Sequence, residues 1–164
     1  MVKTNYKIGD KIIGFLDFNE AQVPCVEFKV TLHSEEIISE ECRKKSTQHL
    51  SSVHSHVELK EHCLFLKKSD FSLQVPVNIT PTFVSDIVSL RWKLHFEFAL
   101  SKIGIQKIQR SNDSAISVSW RPPNSLPVEI ISWDLPIVLH PFDPFVASDL
   151  MHSSNQESNI LKLN

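Results

Sequence analysis

The chain has 164 residues, 41% of them apolar and 22% charged, a size and balance that suit one globular domain, or one plus a tail, and leave two full domains cramped. Lys and Arg together number 17 against 19 Asp and Glu, a net charge of -2 that offers no overall field for nucleic acid or an anionic membrane. No apolar run approaches the roughly 18 residues of a membrane span, and the start MVKTNYKIGDK lacks the apolar core of a signal peptide, so the expectation is a chain made and kept in the cytosol.

Tyr6 to Phe18, YKIGDKIIGFLDF, mixes β-branched and aromatic residues with Gly9 and Gly14 and reads as a strand with a bulge or close backbone approach near each glycine. Asn19 to Val23 turns out of it. Cys25 to Ser34 then alternates cleanly, with Val26, Phe28, Val30 and Leu32 on one side and Glu27, Lys29, Thr31 and His33 on the other. Glu35 to Ser52 is polar, an acidic block followed by Arg43, Lys44 and Lys45. The Glu41 and Lys45 spacing allows a short helix, but a strand extension fading into a mobile, solvated loop is preferred. Val53 to Lys67 resumes strand character through Val53, Val57, Leu59, Leu64 and Phe65, with Ser69-Asp70 expected to close it. Phe71, Leu73, Val75 and Val77 alternate again, and Pro76, having no ladder donor, places that strand at a sheet edge or with the Pro76 nitrogen facing outward. Asn78 to Phe83 is a crossing.

The dominant segment follows, Ile87 to Leu100, IVSLRWKLHFEFAL. Val88, Leu90, Trp92, Leu94, Phe96, Phe98 and Leu100 take the even positions, while Ser89, Arg91, Lys93, His95 and Glu97 take the odd ones. A pleated strand sends alternate side chains to opposite faces, whereas a helix would scatter this apolar set around its axis. The strand would reach roughly 40 Å, about twice the usual length, so a bulge or bend is expected along it, and its apolar face requires a second layer. After Leu100 the pattern loosens, with a hairpin loop expected at Ser111 to Ser114 and a short strand at Ile116, Val118 and Trp120 stopped by Arg121-Pro122-Pro123. Val128 to Leu139 puts Ile131, Trp133, Leu135, Ile137 and Leu139 on one face and Ser132, Asp134 and Pro136 on the other. From His140 the pattern is lost; the division expected is a domain over 1–141 and a mobile tail over 142–164. Strands joined by turns, without a long amphipathic helix, predict an all-β antiparallel sandwich, with Pro76 and Pro136 arguing against a closed barrel.

Chemistry is sparse. His54 and His56 would share a strand face, with His62-Cys63 nearby, and imidazole and thiolate are zinc ligands; yet no second dense ligand pair completes a tetrahedral set, and exposed strand histidines explain the pattern better. His95, between Lys93 and Glu97, reads as a surface or inter-strand histidine. Cys25, Cys42 and Cys63 form no CxxC pair and are read as free thiols. The patterns Asn78-Ile79-Thr80 and Asn112-Asp113-Ser114 would signal glycosylation only in a secreted chain. Asp10, Asp17, Asp70 and Asp134 are expected at turns and strand ends, and no nucleophile elbow, phosphate loop or dinucleotide fingerprint occurs with only three glycines. No catalytic, metal or cofactor-binding residue is assigned and no cofactor is expected; what remains is the surface of a binding module, with the partner-contacting residues unknown.

The stretches GDKIIGFLDFNEAQVPCVEFKVTLHSEE, FSLQVPVNITPTFVSDIVSLRWKLHFEF and ISWDLPIVLHP resemble the C-terminal half of the retrograde Golgi transport proteins of the Rgp family, over about Tyr6 to Pro141 and broken by loops around His49 and Ser111. The resemblance implies an immunoglobulin-like sandwich of the arrestin C-domain type. It implies a non-catalytic subunit of a guanine-nucleotide exchange complex for a Golgi Rab GTPase, with a large propeller-containing Ric subunit as partner and peripheral Golgi membrane association. A full member carries a further arrestin-like half ahead of the position of Met1, so the resemblance implies a fragment, a short product or a separately built domain. No exchange motif can be carried over onto these residues. The alternative, from another class, is an arrestin-like cargo or coat adaptor that binds sorting peptides by sheet-edge addition; an enzyme built on His54, His56 and Cys63 stands far behind.

Overall fold

The structure, a computed structural model, describes residues 3–42, 51–102 and 126–142. It is all-β there: β1 Asn5–Lys7, β2 Lys11–Asp17, β3 Cys25–Ile38, β4 Ser51–His62, β5 Lys68–Gln74, β6 Phe83–Val84, β7 Val88–Ser101 and β8 Val128–His140, with a single 3-10 turn at Glu40–Cys42. The expected strand extension past Glu35 is present as far as Ile38. The expected hairpin loop at Ser111 to Ser114, the short strand around Val118 and the tail beyond Phe142 lie outside the described residues.

The larger sheet runs β1-β8-β7-β3-β4, with β6 paired to the end of β7 beside Leu90 and Ser89, and β2 and β5 form a separate antiparallel pair. β7 is central, flanked by β3 on one side and β8 on the other, each in antiparallel register along most of its length. Its period of two holds. Leu90, Trp92, Leu94 and Phe96 are buried, Val88, Phe98 and Leu100 half-buried, and Arg91 is exposed. Each inward residue of β7 meets an inward residue of β3, as in Leu94 with Leu32 and Phe96 with Val30, so the two strands build one continuous apolar face. The small sheet covers it. Phe71 packs its ring on Phe28 at 6.4 Å and edge-on to Phe96 at 5.7 Å, and Ile12, Leu73 and Val75 join the same buried cluster.

Several local expectations are corrected. Tyr6 to Phe18 is two strands. The chain turns at Gly9, whose φ of +85° lies where residues with a Cβ are rarely found, and passes from the large sheet (β1) to the small one (β2). The Asp10 carboxylate closes that turn by accepting from the Lys7 amide at 2.9 Å. β1 lies parallel to β8, so the large sheet is mixed rather than purely antiparallel. β4 ends at His62; Cys63 to Lys67 is a turn with Phe65 at φ +66°, and Ser69 and Asp70, expected as a turn, belong to β5. β5 itself ends at Gln74, and Val77, expected on its inner face, is exposed. Phe83 and Val84 form the short β6 rather than a plain crossing. Ser89, expected on the wet face, is buried under its neighbours. The expected irregularity exists, but in the neighbours of β7: the β3 register shifts between Cys25 and Glu27, and β4 carries an extra residue opposite the Leu32/His33 step. Pro136 pairs Lys93 on β7, while on the other side of β8 the short β1 reaches only Val138 to His140, so the missing donor faces an unpaired edge.

Candidate interaction surfaces

The odd positions of β7 build a wet outer face in which charges lie opposite one another across strands. Lys93 Nζ and His95 Nδ1 both reach Asp134 on β8, at 2.7 and 2.6 Å, and Lys29 on β3 pairs with Glu97. His95 stacks on His33 with ring centroids 5.0 Å apart and planes within 14°. Burial raises the Asp134 carboxyl, but the bonds from Lys93 and His95 outweigh it and leave its pKa below the ordinary carboxylate range; the bond from Lys29 lowers that of Glu97. Desolvation, with His95 and Lys93 beside it, pushes His33 below the usual imidazole value, so His33 is neutral at pH 7. Lys29, Lys93, His95, Glu97 and Asp134 form a mesh of pairs. Asp134 sits in mid-strand, as Asp70 does opposite Phe15, not at the turns expected for both, whereas Asp17 bonds the backbone of Asn19 as a turn residue does.

The histidines singled out by sequence are divided between surfaces. His62 turns to the outer face, 3.4 Å from Glu27, which also pairs Lys60 at 2.9 Å. His56 is the extra residue of the β4 bulge and turns to the inner side, where its Nε2 lies 2.8 Å from the hydroxyl of the buried Ser34 and its ring packs on Trp92 at 4.7 Å. His54 pairs Ser34 in the ladder and so lies on that same inner side. Cys63 is buried and bonds the carbonyl of the equally buried Cys25; burial pushes its thiol up to about 12, far from thiolate chemistry at neutral pH. Among the described residues no group of three or more His, Cys, Asp and Glu is arranged to hold a metal ion. Asn78 lies exposed beyond the end of β5, and Asn112 lies outside the described residues.

Three features of these surfaces suit binding. The bulge at His56 opens a cavity of about 400 Å³ between β3, β4, β7 and the segment after Pro76, with the Trp92 indole fixed at its floor by a 3.1 Å bond to the Thr80 carbonyl. Among the described residues, no strand pairs with the outer edge of β4. Apolar side chains stand clear: Phe15 is 82% exposed on the outer side of β2, while Trp133 at 53% and Ile131 at 49% lie on the core side of β8, past the cover of the small sheet. Sequence reading placed Trp133 and Ile131 on the correct face. It missed the cavity, because SSVHSHV carries no register mark that reveals an extra residue.

Against known proteins, the Rgp1 family model matches residues 1–101. The chain is 36% identical over 149 residues to the protein of Homo sapiens named RAB6A-GEF complex partner protein 2, and 33% identical over 142 residues to the Bos taurus protein of the same name. These alignments cover 89% and 82% of the chain but 38% and 35% of the relatives, so the chain spans little more than a third of their length. The strands β1 to β7 all fall within the stretch matched by the family model, and the chain belongs to the Rgp1 family.

Proposed function

We propose that the chain acts as a non-catalytic subunit of a Rab guanine-nucleotide exchange complex, supporting activation of a Golgi Rab GTPase and endosome-to-Golgi retrograde transport. The observation that carries this reading is the 36% identity, over 89% of the chain, to a protein named for its partnership in a RAB6A exchange complex. The described surface agrees in kind: His95, Glu97 and Asp134 on its wet face are engaged in cross-strand pairs, while its edges and bare apolar side chains are features of a docking module. Exchange is achieved by binding that displaces switch loops, and a sandwich can contribute to it by holding a catalytic partner in place. In this reading the domain over 1–141 corresponds to the C-terminal, arrestin-like half of its relatives. It works in the cytoplasm and at the Golgi surface, reaching the membrane through the complex and joining a large propeller-containing Ric subunit.

Co-expression of the chain with that large subunit tests the assignment. A complex that survives size-exclusion chromatography is expected. Failure to associate, together with capture of cytoplasmic tails of membrane proteins, would instead favour the adaptor reading, for which the unpaired edge of β4 is the specific support.

A further inference from the structure

We propose that the cavity beside the β4 bulge is a recognition pocket for a basic side chain, lysine or arginine, presented by an extended segment of a partner protein. The floor is closed by Trp92, 2% exposed and held by its bond to Thr80, with His56 packed on its ring and Ile79 on one wall. Such walls accept the apolar stem of a long side chain. Glu36, on the rim, is the only one of the described lining residues with a formal charge at neutral pH, and it has no ion-pair partner among the described residues. His56 adds no opposing charge, because desolvation first and His54 second push its pKa below the usual imidazole value. The Asn78 side chain adds a carbonyl acceptor at the mouth. A cation on an apolar stem therefore finds the Glu36 carboxylate, the Asn78 carbonyl and, among the described lining residues, no competing positive charge.

The pocket is also prepared before any ligand arrives. His56 is aimed by the bulge and held by Ser34, and Trp92 cannot rotate without losing the Thr80 bond, so little side-chain freedom is lost on binding. The source of the cation is a protein segment rather than a free amine, because Ser55 and His56, which line the pocket, belong to β4, whose outer edge pairs with no other strand among the described residues and can bond an extended backbone.

The test uses the full chain and three capped tripeptides, Ac-Ala-Lys-Ala-NH2, Ac-Ala-Nle-Ala-NH2 and Ac-Ala-Glu-Ala-NH2, followed by NMR at the Trp92 indole N–H and the His56 ring. The lysine peptide should give saturable shifts with a dissociation constant on the order of 1 mM, as suits one anchored side chain. Norleucine, which keeps the stem and loses the ammonium, should bind about threefold or more weakly, and Glu36→Gln should remove that difference without altering the thermal midpoint. Equal affinity for the lysine and norleucine peptides, preference for the glutamate peptide, or shifts that never saturate would each overturn the proposal. Partner subunit and GTPase are absent from this experiment, so its failure leaves the exchange-complex reading standing, and failure of that reading does not touch the pocket.

Discussion

At the scale of single residues, Trp92 joins the hydrophobic core to the cavity. Its ring packs under His56 and its N–H is satisfied by Thr80, so removal costs both packed area and a buried bond partner. Trp92→Ala is expected to destabilise the domain by about 3–5 kcal/mol, a large share of the usual 5–15 kcal/mol. Arg91→Ala, one position away and exposed, should change stability by about 0.5 kcal/mol or less. Urea denaturation of the two variants checks the register, and equal midpoints would reverse the assignment of faces. A second residue-scale consequence concerns acid. The folded pKa of His33 lies below its unfolded value of about 6.5, so the unfolded chain takes up the proton first and stability falls as pH drops below about 6.5. Asp134 and Glu97 are also held low; their contribution is present above the unfolded carboxylate range, about 4, and is lost as pH falls through their folded values. His33→Asn should make the upper part of the profile shallower, the remainder being due to His56, whose pKa is also lowered, and leave the lower part in place, as read from denaturation midpoints between pH 7.5 and 3. A profile unchanged between pH 7 and 5 in both proteins would contradict the environment assigned to His33.

At the scale of elements, the small sheet depends on Gly14. Gly14 pairs Phe71 across the β2-β5 ladder, and a Cβ placed there would come within 2.3 Å of the Phe71 ring, so the ring occupies the space the glycine vacates. Phe71 is also the side chain that contacts Phe28 and Phe96 in the large sheet. Gly14→Ala should therefore displace the contact between sheets and cost about 1–3 kcal/mol, measurable by thermal or chemical unfolding; a neutral result would mean that the ring is not seated over the glycine. The glycine was legible in sequence as a close approach, though not its partner. β3, β7 and β8 were legible for a simple reason: each has a long central run of alternating apolar and polar residues, Val26 to His33, Val88 to Phe98 and Ile131 to Ile137, and a one-residue slip would invert the whole face. β1 and β2 were merged because the reversal at Gly9 depends on backbone conformation, which composition does not record. The turn at Cys63 to Lys67 was hidden because Leu64, Phe65 and Leu66 look like strand residues, and the parallel pairing of β1 with β8 joins chain ends far apart in sequence.

At the scale of the whole molecule, the all-β fold followed from the alternation, and the family followed from the wording of the strands, above all Ile87 to Phe98. The candidate site was less legible, because a binding surface is defined by what lies bare after folding. Trp133 looks like any core tryptophan until the small sheet is seen to stop short of it, and His56 looks like an outward strand histidine until the bulge turns it onto Trp92. The central claim is that this chain binds and supports rather than catalyses. Release of a fluorescent guanine nucleotide from the purified Golgi Rab GTPase tests it most directly, comparing the chain alone, the large subunit alone and the two combined. The chain alone should leave the release rate at its intrinsic value, and its addition should raise the rate given by the large subunit; strong acceleration by the isolated chain would contradict the account.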